Sequence, residues 1–164
     1  MPGGMGHVNV VSSVIFGGVS GSSVADIASI GAIEINAMER HGFPRGYAVG
    51  MTLCTSTLSS IIPPSILIVI AGSIANVSIG TLLVAGLIPG LFIAFAFMVF
   101  NHVYAVRHGY NPPSPMNFRK IAITGVNAIL PMLTPVILLV GIVDGYFTPT
   151  EAAAIAALYT LFLA

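Results

Sequence analysis

Apolar residues occur in runs that short polar segments separate. The first run, Val8 to Gly18, and the second, Val24 to Met38, flank the tetrapeptide Ser20-Gly21-Ser22-Ser23. At about 1.5 Å per residue, neither run reaches across the roughly 30 Å of a bilayer's hydrocarbon core. We therefore predict a re-entrant helical hairpin over residues 8–38, with its Ser/Gly tip at membrane depth.

The third apolar run, Gly46 to Ala75, is long enough to span a bilayer, but Pro63-Pro64 lies inside it. Two prolines remove two backbone donors and disfavour α geometry at the preceding residue, Ile62. We predict a broken transmembrane helix over residues 46–75. Its two arms run from Gly46 to about Ile61 and from Ser65 to about Ala75.

The rest of the chain contains three further apolar segments, which turns and a polar loop connect. A turn at residues 76–80 precedes a long helix at 81–106, which Pro89-Gly90 is expected to kink. A Pro-rich polar loop covers residues 107–120. Residues 121–143 are long enough to span again, and after a turn at 144–149 another helix starts at Thr150.

Composition changes the expected solvent from water to lipid. Of the 164 residues, 56% are hydrophobic and 6% are charged, against roughly 25% charged in a soluble domain. With equal numbers of acidic and basic residues, the chain lacks the basic surface that nucleic-acid binding requires. The single cysteine, Cys54, excludes an internal disulfide bond. The fold class is therefore all-α, a polytopic membrane protein.

The cations predict the orientation of this membrane protein. All five Lys and Arg residues lie in two loops, 39–45 and 107–120, and two predicted spans separate these loops. Both loops therefore lie on one side, which the positive-inside rule makes the cytoplasm. The turns at 76–80 and 144–149 carry no cation and fall outside.

Gly and Pro together provide 29 residues, 18 and 11 respectively. Interrupted helices are tolerated in membranes where the freed backbone groups face protein or a water-filled cavity, so this composition favours a transport protein.

Ser20 to Ser23 offer hydroxyl and carbonyl oxygens suited to a cation such as Na⁺. The alternative there is a plain turn in which Ser23 and Asp26 form a helix-capping box, and we favour capping for Asp26.

A second group of hydroxyls precedes Pro63-Pro64; its members are Thr52, Thr55, Ser56, Thr57, Ser59 and Ser60. These hydroxyls either bond carbonyls one turn earlier in their own helix or form a polar concavity that faces the Ser/Gly tip. We favour the concavity, because the run coincides with a helix break. For Glu34, a carboxylate that reaches the interface near Glu39 is favoured over a proton or ion role.

Enzyme chemistry is the alternative to transport. Gly18-Val19-Ser20-Gly21 matches the Gly-x-Ser-Gly of intramembrane proteases, which need a His base beside the serine. The four histidines, however, fall at segment ends or in loops. We therefore expect no enzyme, and keep an intramembrane protease or an inactive truncated membrane fragment as alternatives.

Four ordered motifs resemble one family over nearly the whole chain. They are Phe16-Gly17-Gly18-Val19-Ser20-Gly21-Ser22-Ser23-Val24-Ala25-Asp26, Ile61-Ile62-Pro63-Pro64-Ser65, Ala85-Gly86-Leu87-Ile88-Pro89-Gly90 and Gly145-Tyr146-Phe147-Thr148-Pro149-Thr150-Glu151-Ala152. The sequence resembles the large membrane subunit of TRAP (tripartite ATP-independent periplasmic) transporters, of the DctM-like family. Where the family pattern often has Gly-Pro and Pro, this chain has Ser59-Ser60 and Asn36, so it departs from the pattern there.

This resemblance implies an ion-transporter-superfamily fold with two inverted repeats in the bacterial inner membrane. Sodium would drive elevator-type uptake of an organic acid, such as a C4-dicarboxylate or sialic acid, delivered by a periplasmic binding protein; a small membrane subunit would brace the scaffold. Residues 1–106 would be the first repeat's transport core, 107–120 a cytoplasmic loop and 121–164 the start of a second repeat. Because a second hairpin is absent, we expect an incomplete transporter.

The resemblance also implies the residues of the site. The candidate sodium-binding residues are Ser20, Gly21, Ser22, Ser23, Ser56, Ser59, Ile62 and Pro63. The candidate substrate-proximal residues are Ser23, Asp26, Pro64 and Ser65. Sodium is the only implied cofactor, and no other metal is expected.

Overall fold

The computed structural model describes residues 2–110, residue 130 and residues 133–163, and all the regular elements in these residues are helical. The α-helices are α1 (Gly4–Ser20), α2 (Ser23–Asp26), α3 (Ala32–Arg40), α4 (Arg45–Ser56), α5 (Ile66–Ala75), α6 (Ile79–His108), α7 (Leu133–Val143) and α8 (Pro149–Leu163). The all-α class expected from the sequence is thus observed. The predicted loop at 107–120 falls largely outside the described residues, and so do residues 121–129, 131 and 132 of the predicted span at 121–143; α7 covers the second half of this span.

A helical hairpin forms the N-terminal part. Helix α1 ends at Gly21, whose left-handed backbone (φ 62°) lets its N–H bond the Gly17 carbonyl at 3.0 Å. Ser22 is extended and turns the chain into α2, and a π-helical turn at Ile27–Gly31 joins α2 to α3. The two arms lie side by side and together cover residues 4–40, slightly more than the predicted 8–38.

The next helix is interrupted before and at its prolines. Helix α4 tightens into a 3₁₀ turn at Thr57–Ser60, so its α geometry ends earlier than the predicted Ile61. Residues 61–65 are not helical, and the Pro63-Pro64 peptide bond is cis. Ser65 then caps α5, because its hydroxyl accepts a 3.3 Å hydrogen bond from the Ile68 N–H.

Helix α6 is the longest element, with 30 residues and a mean hydropathy of 2.5 over its most apolar window. It extends past the predicted 81–106 at both ends and contains Pro89. Of the helices that the structure describes, it alone is long and apolar enough to cross a membrane. Large apolar side chains such as Ile88 and Phe92 are exposed on it, at 74% and 72%, which suits a surface covered by lipid or protein.

The core lies where the hairpin, α4 and α6 meet. Val10 of α1, Met38 of α3 and Leu58 of the 3₁₀ turn are fully buried there, and Ala94 of α6 packs against the same cluster. A separate small cluster joins α7 to α8 through Leu138, Ala152 and Ala156. The hairpin therefore packs against the first arm of the broken helix, which consists of α4 and the 3₁₀ turn, whereas the second arm, α5, packs against α6.

Candidate functional site

The hairpin tip lies directly against the interruption of the next helix. The hydroxyl oxygens of Ser23 and Ser60 are 2.6 Å apart, and the Ser23 N–H donates to the Ser60 hydroxyl at 3.1 Å. The Ile66 N–H, at the start of α5, donates to the Gly21 carbonyl at 3.3 Å. Two helix ends and two non-helical turns thus meet at one point and bring their polar groups together.

This close approach requires glycine at position 21. A Cβ on Gly21 would overlap the carbonyl oxygen of Pro64, and its φ of 62° also disfavours any side chain. Gly17 is similarly packed, since a Cβ there would lie 2.6 Å from the Ser59 Cα. The Gly-rich sequence before the tip therefore lets the two backbones touch.

The tip serines mainly organise the turn. The Ser22 hydroxyl caps α2 by accepting from the Ala25 N–H at 3.4 Å, and the Ser20 hydroxyl lies 3.5 Å from the Ser22 carbonyl. Ser65 donates to the Ser60 carbonyl at 2.5 Å and so closes the break on itself. Hydroxyl and carbonyl oxygens are therefore concentrated within the tip and the break.

Three other sodium candidates face away from the tip or are engaged locally. The Ser56 hydroxyl is buried and donates to the Leu53 carbonyl of its own helix at 2.8 Å, which is the back-bonding alternative. The Ile62 N–H bonds the Leu58 carbonyl at 2.8 Å. Ser59 is turned toward α1 and α2, where it donates to the Ser13 carbonyl at 3.0 Å and to the Asp26 carboxyl at 2.7 Å.

A cavity of about 430 Å³ opens beside the break. Val19, Ser20, Pro64 and Ser65 line part of it. Residues of α5, α7 and α8 line the remainder, and all of these are apolar except Thr150. Of the four substrate-proximal candidates, Pro64 and Ser65 line this cavity, whereas Ser23 and Asp26 do not. Its lining is mainly apolar, with a few polar groups, as in small-molecule sites generally.

The interpretation of Asp26 as a capping residue is wrong. The N-cap of α2 is Ser22 rather than Ser23, and the Asp26 carboxyl points to Ser59. Asp26 is 1% exposed, and its second oxygen, Oδ1, has no hydrogen-bond partner. Because burying an unpaired carboxylate is costly, this residue requires a reason other than helix capping.

The interpretation of Glu34 as an interfacial carboxylate is also wrong. Glu34 is 8% exposed and accepts a 3.0 Å hydrogen bond from the Asn9 amide nitrogen, which also donates to Thr52 at 2.8 Å. The Asn9 oxygen accepts from the Thr55 hydroxyl at 2.5 Å. Four polar side chains from three helices thus form one buried network.

Of Asn9, Ser13 and Ser60, sequence reasoning missed the first two; it included Ser60 among the hydroxyls of the predicted polar concavity but not among the candidate ion ligands. A signal was available for two of them, because Asn9 and Ser13 are four residues apart and Gly17 and Gly21 continue the spacing. This spacing defines one face of a helix, and that face of α1 is the one that packs against α4 and the 3₁₀ turn. Ser60 gave no signal that distinguished it from its neighbouring hydroxyls.

A helical hairpin whose tip meets a broken helix beside a long apolar helix defines a class, the membrane transport proteins with discontinuous helices. The comparisons with known proteins specify the family. The model of the "Tripartite ATP-independent periplasmic transporter, DctM component" family matches residues 1–164, and the chain belongs to this family. Members of this family are named as permease subunits of transporters, which are not enzymes.

Curated relatives agree with this assignment. The chain is 41% identical over 161 residues (98% of the chain, 38% of the relative) to the sialic acid TRAP transporter large permease protein SiaM of Vibrio cholerae. It is 38% identical over 163 residues (99% of the chain, 38% of the relative) to the C4-dicarboxylate TRAP transporter large permease protein DctM of Pseudomonas aeruginosa. The sialic acid permease SiaT of Haemophilus influenzae is 40% identical over 162 residues, 98% of this chain and 26% of that protein. The chain thus spans well under half the length of these relatives.

Proposed function

We propose that the chain forms the first-repeat core of the large permease subunit of a sodium-coupled TRAP transporter. In this proposal the hairpin is re-entrant, and its tip and the opposing break hold a coupling sodium ion beside the substrate. The observation that carries it is the contact between two interrupted helices, where Ser23 meets Ser60 at 2.6 Å. Hydroxyl and carbonyl oxygens freed from regular helices are the ligands that transporters offer to Na⁺.

The substrate in this proposal is an organic acid. Relatives are named for sialic acid and for C4-dicarboxylates, and both compounds carry carboxylates. Ser65 and the N-terminal end of α5 border the 430 Å³ cavity, and a helix N-terminus favours an anionic group. A periplasmic binding protein would deliver the acid and a small membrane subunit would hold the scaffold, while the hairpin and broken helix move as one body in an elevator-type step.

The test is uptake by the complete transporter, reconstituted with its small subunit and binding protein in liposomes. We expect uptake of a labelled organic acid to require an inward sodium gradient. Ser23→Ala and Ser60→Ala each remove one oxygen from the contact, so both should raise the sodium concentration needed for half-maximal uptake. Ser29→Ala is the matched control, because this exposed hydroxyl bonds only carbonyls of its own helical segment.

Two results would contradict the proposal. Uptake that is equally fast with potassium in place of sodium would remove sodium coupling. Sodium dependence unchanged in both Ser23→Ala and Ser60→Ala would move the ion away from the tip while leaving transport itself intact.

A further inference from the structure

Two histidines from different helices lie side by side at the end of the hairpin opposite the tip. The ring centroids of His7 in α1 and His102 in α6 are 5.9 Å apart, and the ring planes are inclined by 33°. At 1.5 Å per residue, about 20 Å of helix separates His7 from Gly21. The pair is therefore remote from the contact between the tip and the broken helix.

One ring nitrogen of His7 is free to bind a ligand. Nε2 is buried and has no hydrogen-bond partner. The ring is in hydrogen-bond contact with the Pro2 backbone, and because proline offers only a carbonyl, the donor is the N–H at Nδ1. A neutral ring protonated at Nδ1 carries its lone pair on Nε2. Metal-binding histidines usually have this arrangement, in which the other ring N–H donates to a carbonyl or carboxylate.

The two helices are held together directly beside the histidines. Gly6 packs so closely on α6 that a Cβ there would overlap the Asn101 side chain. The Asn101 amide donates to the Gly3 carbonyl at 2.9 Å. Gly6 and Asn101 directly precede His7 and His102 in the sequence, so this contact fixes the backbones that carry the two rings. A metal site requires such prepositioned ligands.

The spacing of the two rings fits one metal ion between them. Zn–N bonds are about 2.0–2.1 Å long, which puts the ion about 3.2 Å from each ring centroid. Two centroids then lie about 5.2 Å apart at a tetrahedral angle and at most about 6.4 Å apart. The observed 5.9 Å lies between these limits. An open cavity of about 380 Å³ borders His7 and gives an ion and its water ligands access.

The ligand type selects the metal. Imidazole suits transition metals such as Zn²⁺, Cu²⁺ and Ni²⁺, whereas hard cations such as Mg²⁺ and Ca²⁺ prefer oxygen. Zn²⁺ has no geometric preference from d-electrons, so it accepts an angle wider than the tetrahedral one. No third histidine, cysteine or carboxylate joins the pair among the residues that the structure describes, so water completes the coordination.

We propose that His7 and His102 bind one Zn²⁺ ion, which joins the first arm of the hairpin to α6. Each helix supplies one ligand, so the ion adds a link between two segments that already pack through Gly6 and Asn101. The proposal is independent of sodium coupling, because the pair lies far from the tip and offers nitrogen ligands.

The experiment measures zinc binding to the complete permease with its small subunit, purified without a polyhistidine tag and stripped of metal with a chelator. Zinc affinity is determined by competition with a chromogenic chelator. His7→Gln and His102→Gln each keep a polar side chain and remove one imidazole. We expect each to weaken the same zinc ion on the order of tenfold or more, because the loss of an outer-shell partner alone costs roughly 10–100-fold.

Two other histidines of the chain provide matched controls. His41 and His108 are exposed, and their Nδ1 atoms lie 2.8 Å from the Ala37 carbonyl and 2.9 Å from the Tyr104 carbonyl. His41→Gln and His108→Gln should therefore bind zinc as the parent does. Zinc should raise the unfolding temperature of the parent and of both controls, because a ligand that binds the folded state stabilises it, and should not do so in His7→Gln or His102→Gln.

A second measurement needs no variant. X-ray absorption at the zinc edge of the parent, loaded with one equivalent of zinc, should show two imidazole ligands at about 2.0–2.1 Å. This spectrum decides the question even if a histidine variant fails to fold.

Four results would overturn the inference. They are a parent that binds no zinc, parental zinc affinity in either His7→Gln or His102→Gln, an equal loss of affinity in His41→Gln or His108→Gln, and a spectrum with fewer than two imidazoles. None of them bears on sodium-dependent uptake, so the proposed function would stand in each case.

Discussion

Asn9 of α1 donates a 3.0 Å hydrogen bond to the carboxyl of Glu34 in α3, and this bond ties the two arms of the hairpin together. The same amide nitrogen donates to Thr52 in α4 at 2.8 Å. The pair therefore links hairpin stability to the packing of the broken helix. Removal of Asn9 therefore takes a buried partner from both α3 and α4.

The first prediction is that Asn9 and Glu34 are energetically coupled. Asn9→Ala removes the buried hydrogen bonds that join Asn9 to Glu34, Thr52 and Thr55, so it should lower the free energy of unfolding by about 1–3 kcal/mol. The Thr55 hydroxyl keeps carbonyl partners in its own helix. Glu34→Ala should cost less in the Asn9→Ala background than in the parent. A double-mutant cycle on the purified complex in mild detergent should give a coupling of roughly 0.5–3 kcal/mol.

If the unfolding free-energy changes of the two single variants simply add in the double variant, Asn9 and Glu34 are not energetically coupled and the prediction is wrong. Ser29→Ala serves as the control, since its hydroxyl is exposed and bonds only its own helical segment. It should change the unfolding free energy by no more than about 0.5 kcal/mol.

The second prediction concerns the backbone contact at the tip. Gly21→Ala places a methyl group against the Pro64 carbonyl at a left-handed backbone position, so the tip must move away from the break. Uptake by the reconstituted transporter should be lost, and the unfolding temperature of the complex should fall. Gly50→Ala in α4 is the matched control, because a Cβ there meets no described atom within 4 Å.

Gly50→Ala should be neutral, or stabilising by up to about 1 kcal/mol, as alanine is the better helix former. A Gly21→Ala transporter with parental uptake would show that the contact between the tip and Pro64 has no role in transport.

The helices were largely predictable because their signals are local. Gly21 and Ser22 interrupt one apolar run and Pro63-Pro64 another, and the structure interrupts its helices at these places. The predicted arm to Ile61 failed only in its last turn, where three hydroxyl residues and Leu58 tighten into a 3₁₀ turn at Thr57–Ser60. Tertiary packing against α1 decides this geometry, and propensity does not encode it.

The interior of the site was not predictable in the same way. Local rules placed Asp26 in a capping box and Glu34 near the interface, because both rules consider only neighbours in sequence. The structure instead pairs Asp26 with Ser59 and Glu34 with Asn9, over separations of 33 and 25 residues. Only the arrangement of the three helices brings these groups together.

The third prediction tests a buried polar residue, Asn101, in the C-terminal third of the apolar α6. Asn101 is fully buried; it donates to the Gly3 carbonyl at 2.9 Å and accepts from the Tyr47 hydroxyl at 3.2 Å. Asn101→Leu removes both bonds and places a bulkier group against Gly6, so it should destabilise the complex by about 2–4 kcal/mol. Tyr47→Phe removes one bond only and should cost about 1 kcal/mol. Equal unfolding temperatures for Asn101→Leu and the parent would show that this network does not hold α1 to α6.

The fourth prediction fixes the orientation of the chain. The basic residues Arg40 and Arg45 flank the loop between α3 and α4, so the positive-inside rule places His41 in the cytoplasm and the turn before α6 outside. In a Cys54→Ser background, Val77→Cys should react in intact spheroplasts with a membrane-impermeant maleimide, since Val77 is 48% exposed. His41→Cys, which is also exposed, should react only after the membrane is permeabilised.

Asn111→Cys, in the second predicted basic loop, should behave as His41→Cys does. Labelling of His41→Cys before permeabilisation, with Val77→Cys protected, would reverse the orientation.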